Sequence, residues 1–320
     1  MDNPIIYIDG LNVFMRHYAA NPTVSLHNKL CGGIVGTLKN IEYLCTKFSP
    51  SKIIIAWEGG GSLRRRNIDP NYKEGRRPVK LNRSSYYDDL KADTVETRDD
   101  QLKVLIEILY KTPVTQIYVN DCEADDVIAY LCKSNMSHDK IIVTSDKDYY
   151  QLVDKKTLIW SPNKKMLIDE EYIIENWSIH PTNFCVARCF SGDQSDGIKG
   201  IKGAGFKTMA KRFPDLMTCK FLSINDIISI SNDEVKNGNK LKIYHNIISE
   251  SHEIKKNWKL MHLDTAMLCA DQIKKINHQV ENKKDKLNKL DLMRIMNREG
   301  LNNFDVHTFL LTLKSYLRGN

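Results

Sequence analysis

The chain has 320 residues, 42% hydrophobic and 27% charged, with a formal net charge of +7. That composition excludes a disordered or low-complexity chain and leaves room for one large domain or two modest ones. Its apolar runs are too short to span a bilayer, no secretory pattern precedes the first strand, and its eight cysteines lack a zinc spacing, so no membrane, a cytoplasmic location and buried free thiols are expected.

In chain order, residues 4–9 read as a strand, 26–47 as an amphipathic helix and 52–57 as a second strand ending at Glu58. Gly59-Gly60-Gly61 then breaks the pattern, and residues 62–87 are polar, basic and spotted with Tyr72, Tyr86 and Tyr87. Such an insertion is too long for an ordinary βα loop. A helix over about 88–111, a strand at 115–119, a helix at 124–133, a strand at 140–144 and a short helix near 148–153 follow. Leu158-Ile159-Trp160 and Met166-Leu167-Ile168 read as a terminal strand pair. From about 170 the chain reads helical, with polar breaks near 192–205, 231–239 and 277–289. Alternating strands and helices imply a parallel sheet with helices on both faces, and a soft boundary near 175 divides an α/β unit (1–175) from a helical one (176–320).

The strands end in acids. Asp9 closes the first, Glu58 the second, Glu123, Asp125 and Asp126 follow the third, and Asp146 and Asp148 follow the fourth. Asp193 and Asp196 bracket a turn further on. In open α/β sheets, sites lie beyond the carboxyl ends of the strands. Three acids in four positions exceed what a helix cap needs, and carboxylates converging there repel unless cations lie between them. Oxygen donors without His or Cys select Mg²⁺ or Mn²⁺, and two such ions suit phosphodiester cleavage. A basic rim, Arg64 to Arg66, Lys73, Arg76, Arg77, Lys80 and Arg83, would draw a polyanion toward that pit. Gly197 to Thr208, with Gly203, Gly205, Lys202 and Lys207, reads as a glycine-rich hairpin that holds a phosphate backbone without reading sequence, or as a plain helix-connecting turn.

Ile8-Asp9-Gly10 with Asn12 and Arg16, Tyr72-Lys73-Glu74-Gly75-Arg76, Glu123 to Asp126, Ser145 to Asp148, and Gly192 to Gly197 leading into Gly200 to Gly205 together resemble the 5′-nuclease superfamily. This superfamily holds the flap endonucleases and 5′→3′ exonucleases, and the likeness is greatest to stand-alone bacteriophage members, including phage RNase H. The motifs keep the family's order from residue 5 to about 212. The resemblance implies a PIN-like α/β fold with a helical arch within about 60–100 and a helix-hairpin-helix at about 190–215. Asp9, Glu123, Asp125 and Asp146 would surround a first metal position, Asp148, Asp193 and Asp196 a second, with Asp126 beside the first. Lys73 and Arg76 would touch the scissile phosphate at the arch base. Arg16 and Tyr72 would contact nucleic acid, and the hairpin would grip duplex and hold K⁺ on backbone carbonyls. Where the family usually places Asp after the second strand, this chain has Glu58, one methylene longer.

The implied enzyme is a monomeric Mg²⁺-dependent 5′ nuclease acting in primer or flap removal on DNA or RNA·DNA hybrid, with replication proteins as partners. A PIN-type ribonuclease and a non-catalytic DNA-structure-binding protein are the alternatives.

Overall fold

A computed structural model describes residues 3–74, 95–282 and 287–318. Six strands form one sheet in the order β3-β2-β1-β4-β5-β6. They are β1 (Ile5–Asp9), β2 (Lys52–Trp57), β3 (Thr115–Tyr118), β4 (Lys140–Val143), β5 (Thr157–Ser161) and β6 (Met166–Ile168). All pair in parallel except β6, which returns antiparallel on β5. Central β1 lies between β2 and β4, and its five residues are all buried.

The apolar run of β1 serves two cores by simple alternation. Ile5 and Tyr7 face one side with Ile54, Ile142 and Ile159, while Ile6 and Ile8 face the other with Ile53, Ile55 and Val143. On the second side pack α1 (Gly10–Ala20), α2 (Gly32–Phe48) and α4 (Val95–Leu109), preceded by the short α3 (Leu63–Ile68) after β2. The first side carries α5 (Ala124–Ser134), α6 (Glu170–Trp177), α7 (Pro181–Ser191), α8 (Phe206–Arg212), α9 (Ile224–Lys236), α10 (Lys242–Ser249), α11 (Ser251–Met261) and α12 (Ala270–Glu281). The chain then crosses back, so that α13 (Lys289–Arg298) and α14 (Val306–Arg318) join the second side with Leu292, Ile295, Phe309 and Leu313.

α12 also covers the open edge of β3. The Gln279 amide donates to the Tyr118 carbonyl at 3.1 Å and accepts from the Tyr118 N–H at 2.9 Å, standing in for a neighbouring strand.

The forecast strands recur within a residue or two, but some helices differ. α1 was not anticipated, because Asp9-Gly10 reads as a turn. The second helix begins at Gly32 rather than 26, since Val24 pairs with Leu30 in an isolated bridge. The short helix after β4 is a 3₁₀ turn over Lys147–Leu152. The break forecast at 231–239 is shorter, because α9 runs to Lys236. Within the polar insertion, Ser62 caps α3 by accepting from the Arg65 N–H at 3.2 Å. Six cysteines are buried as expected, whereas Cys219 and Cys269 are exposed. No helix among the described residues is long and apolar enough to cross a membrane. Residues 75–94 of the forecast arch, with Arg76, Arg77, Lys80, Arg83, Tyr86 and Tyr87, lie outside the described residues.

Candidate active site

Parallel pairing brings the carboxyl ends of β1, β2 and β4 to one edge, and each delivers an acid there. Asp9 ends β1 and caps α1, accepting from the Asn12 N–H at 3.1 Å and from the Tyr149 hydroxyl at 3.2 Å. Burial, and next to it the charges of Asp146 and Asp125, push its carboxyl up to about 7 against the pull of the Asn12 N–H. Glu58 follows β2 and is pushed up to about 8 by burial and by the charges of Asp125, Asp9 and Glu123. Asp146 follows β4, caps the 3₁₀ turn by accepting from the Asp148 N–H at 2.9 Å, and is raised by burial. Asp148 is pushed up to about 7 by burial and by Asp146.

The start of α5 adds three more acids. Burial would raise Asp125, but Arg65 and Lys73 hold it below the usual carboxylate range. Burial and the charge of Asp125 push Asp126 the other way, against the pull of the Arg65 guanidinium that holds it as a carboxylate. Glu123 is 2% exposed and accepts from Lys73 Nζ at 2.7 Å and from the Tyr72 hydroxyl at 3.4 Å.

The turn after α7 supplies the last two. Asp193 and Ile198 exchange backbone hydrogen bonds at 2.8 and 2.7 Å, which folds Asp193 and Asp196 back toward the sheet edge. One carboxylate oxygen from each of Asp148, Asp193 and Asp196 lies within 4.8 Å of the others. Asp193 and Asp196 border an open crevice of about 300 Å³ together with Asn12, Asp146, Lys147 and Arg188. Three oxygen donors at that spacing fit a hard divalent cation, and among the described residues no His or Cys joins them.

The protein threads its own cations through these acids. Lys73 sits at φ +60° in the left-handed region, where its N–H donates to the Asp196 carbonyl at 3.1 Å while its amine reaches Glu123. Arg188 on α7 donates from Nε to Asp148 at 2.9 Å and from Nη2 to Asp193. Arg65 on α3 is 1% exposed and donates to Glu123, Asp125 and Asp126. Arg188 carries no signal in the sequence, and Arg65, expected on the basic rim, is instead buried against the acids. Arg65 is one of three consecutive arginines, and the only hint is Ser62, whose capping of α3 turns that residue inward.

Of the remaining expected residues, Tyr72 touches the acids. Arg16, one turn beyond Asn12 on α1, is held by Asn163 Oδ1 at 2.6 Å and the Pro162 carbonyl at 3.0 Å. Tyr72 presents its hydroxyl to the acids and its ring to the Lys73 amine, 5.0 Å from the centroid. In the hairpin between α7 and α8, Ile198, Ile201 and Ala204 are buried and anchor the turn. Lys202 and Lys207 are exposed, and Gly203, at φ +87°, and Gly205 both face open space. Gly192 and Gly200 are needed for close approach: a Cβ on Gly200 would stand 2.2 Å from the Ser191 carbonyl oxygen.

A parallel sheet whose carboxyl edge gathers nine carboxylates, a lysine and a glycine hairpin defines a PIN-like α/β nuclease. Comparison with known proteins gives the family. The model of the 5′-3′ exonuclease N-terminal resolvase-like domain matches residues 4–178, more than half of the chain, and the chain belongs to that family of 5′ nucleases. A 5′-3′ exonuclease of Buchnera aphidicola subsp. Acyrthosiphon pisum is 33% identical over 211 residues, 65% of this chain and 68% of that one. A flap endonuclease Xni of Shewanella denitrificans is 29% identical over 250 residues, 75% and 86% of the two chains. Among solved structures, the T5 5′-exonuclease with bound zinc ions superposes with a TM-score of 0.68 at 21% identity, over 88% of this chain and 99% of that one. The bacteriophage T5 flap endonuclease in complex with DNA and metal ions gives 0.66 at 21% identity, over 92% and 99%. The protein is thus an enzyme, a 5′ nuclease.

Proposed function

We propose that this protein hydrolyses phosphodiester bonds near the 5′ ends of flapped, nicked or RNA-primed DNA, with two divalent cations, Mg²⁺ or Mn²⁺, held in the acidic crevice. The observation that carries this reading is the convergence of Asp148, Asp193 and Asp196 within 4.8 Å, beside Asp146 and Arg188 and directly before the hairpin. Asp148, Asp193 and Asp196 would hold one ion. Asp9, Glu123, Asp125 and Asp146 would surround the other, with Glu58 behind them. Bound there, such ions supply an activated water and screen the leaving oxygen.

The chain's own groups do the rest. Lys73 stands against Glu123, where its amine can turn to a non-bridging oxygen of the scissile phosphate and stabilise the charge that grows there. Arg76, three residues on, would act with it. Lys202 and Lys207, on an exposed hairpin with Gly203 and Gly205, would hold the duplex backbone, and backbone carbonyls of that turn would take K⁺. The labour is divided unevenly: residues 1–175 would carry Lys73 and most of the acids, and 176–320 would add Asp193, Asp196 and the hairpin grip. We take the enzyme to act as a monomer in flap or primer removal beside replication proteins.

The test compares end-labelled 5′-flapped DNA, RNA-primed duplex and single-stranded RNA in Mg²⁺. Cutting at the branch or primer junction is expected. Cutting of single-stranded RNA alone would instead make the protein a PIN-type ribonuclease.

A further inference from the structure

One buried cation is left unassigned by the mechanism. The Arg65 guanidinium is 1% exposed and makes five contacts. Nη1 lies 2.8 Å from Glu123 Oε2, 3.3 Å from Asp125 Oδ1 and 2.8 Å from Asp126 Oδ2. Nη2 lies 2.9 Å from Asp126 Oδ1, so Asp126 is gripped through both oxygens. Nε donates to the Leu260 carbonyl at 2.8 Å, at the carboxyl end of α11. Beside it, Arg64 donates to the Lys259 carbonyl at 2.7 Å. The Asp126 N–H in turn donates to Asp125 Oδ1 at 2.7 Å.

A planar fork that takes both oxygens of one carboxylate fixes that carboxylate's plane as well as its place. Asp126 thereby has no oxygen free of the guanidinium. Glu123 uses one oxygen toward Arg65 and Lys73, and Asp125 uses one toward Arg65 and its own neighbour's N–H. The backbone of α5's first turn is therefore tied to α3 and α11 through one side chain.

We propose that Arg65 is the positioning residue of the acidic crevice: it takes Asp126 as its own carboxylate partner, removes it from the metal-binding set, and through that clamp aims Glu123 and Asp125 at the divalent ion. Asp126 is then a fixed counter-charge rather than a ligand. The clamp also ties the helical region that bears the hairpin to the crevice, since the same guanidinium holds the end of α11.

Lysine cannot substitute. It is one point charge on a flexible stem and cannot hold two oxygens of Asp126 and the Leu260 carbonyl together. Groups that orient metal ligands from behind typically cost 10–100-fold in affinity or activity when lost.

The inference rests on the two-metal nuclease reading, and its test is separable from that reading. Bound Mn²⁺ is counted by electron paramagnetic resonance for the wild type, Asp126→Asn, Asp125→Asn and Arg65→Lys. Single-turnover flap cleavage, and DNA affinity in EDTA, are measured on the same samples. Asp126→Asn is expected to keep the wild-type number of ions with affinity within about threefold, whereas Asp125→Asn loses one ion or roughly 100-fold in affinity. Arg65→Lys is expected to keep DNA affinity and lose roughly 10–100-fold in rate at saturating metal. Loss of an ion in Asp126→Asn, or a wild-type rate in Arg65→Lys, would overturn the assignment. If Arg65→Lys fails to fold, the ion count of Asp126→Asn decides alone. A wild type that binds no Mn²⁺ would sink the nuclease reading itself.

Discussion

Lys73 shows what one residue carries here. Its amine is half-buried among carboxylates; desolvation disfavours the charge, but Asp125, Glu123 and Asp196 together raise its pKa, so it stays cationic. Lys73→Ala removes a positioned donor to a developing oxyanion and is expected to cut the single-turnover rate on the order of 10²-fold with duplex affinity little changed. A rate equal to wild type would remove Lys73 from the chemistry. At this scale the acids were legible and their counter-ions were not. Asp9, Asp125, Asp146 and Asp148 announce themselves because apolar strands end at them. Arg65 and Arg188 meet their partners across 58 and 40 residues of sequence, and only the fold creates those contacts. The carboxylates converge as expected, but three internal cations neutralise part of their charge. Mutual repulsion alone therefore overstates how much metal the crevice needs.

At the scale of elements, the hairpin between α7 and α8 is set by backbone proximity as well as by its buried side chains. Gly200 packs against Ser191 and Gly192, and no side chain fits between them. Gly200→Ala is expected to cost about 1–3 kcal/mol, read as a lower Tm, and to weaken duplex binding. Unchanged Tm and affinity would mean the turn opens freely. Strand placement was legible because continuous β-branched runs have few other uses. α1 was hidden by its own start: Asp9 and Gly10 look like a turn, yet Asp9 caps a helix that Gly10 opens, and glycine is needed there because a Cβ would stand 2.6 Å from the Trp57 ring. The early start forecast for α2 has a similar cause. Leu30 carries on the helical stripe but belongs to the preceding bridge.

The whole molecule is organised by two cores that share one sheet. Both receive helices from beyond residue 175, so the division at that point does not mark independent packing. Removing residues 287–318 would strip Leu292, Phe309 and Leu313 from the face that α2 and α4 share, and a strongly destabilised chain is expected on thermal melting. The sequence concealed this return because α13 and α14 read as ordinary amphipathic helices with no stated partner.

The acid cluster also sets a pH dependence for the entire fold. Asp9 and Asp148 at about 7 and Glu58 at about 8 keep protons that the unfolded chain releases near about 4. The folded state binds more protons over that range, so stability falls as pH rises through it. His17, pushed down to about 4 by burial and Arg16, acts oppositely, but only below its unfolded value of about 6.5. Between about pH 6.5 and 8 the carboxyls act alone. Metal-free protein should lose Tm across that window, and Mg²⁺ should raise Tm more at pH 8 than at pH 6.5. A Tm that rises with pH there, without metal, would contradict the assigned burial.

The most direct measurement is single-turnover cleavage of an end-labelled 5′-flap DNA by the wild type and by Asp146→Asn, in Mg²⁺ and in EDTA. The wild type should cut near the branch in Mg²⁺ and not in EDTA, while Asp146→Asn should bind the flap and leave it intact. Cleavage at the wild-type rate by Asp146→Asn, or by the wild type in EDTA, would contradict an acidic metal crevice as the seat of the reaction.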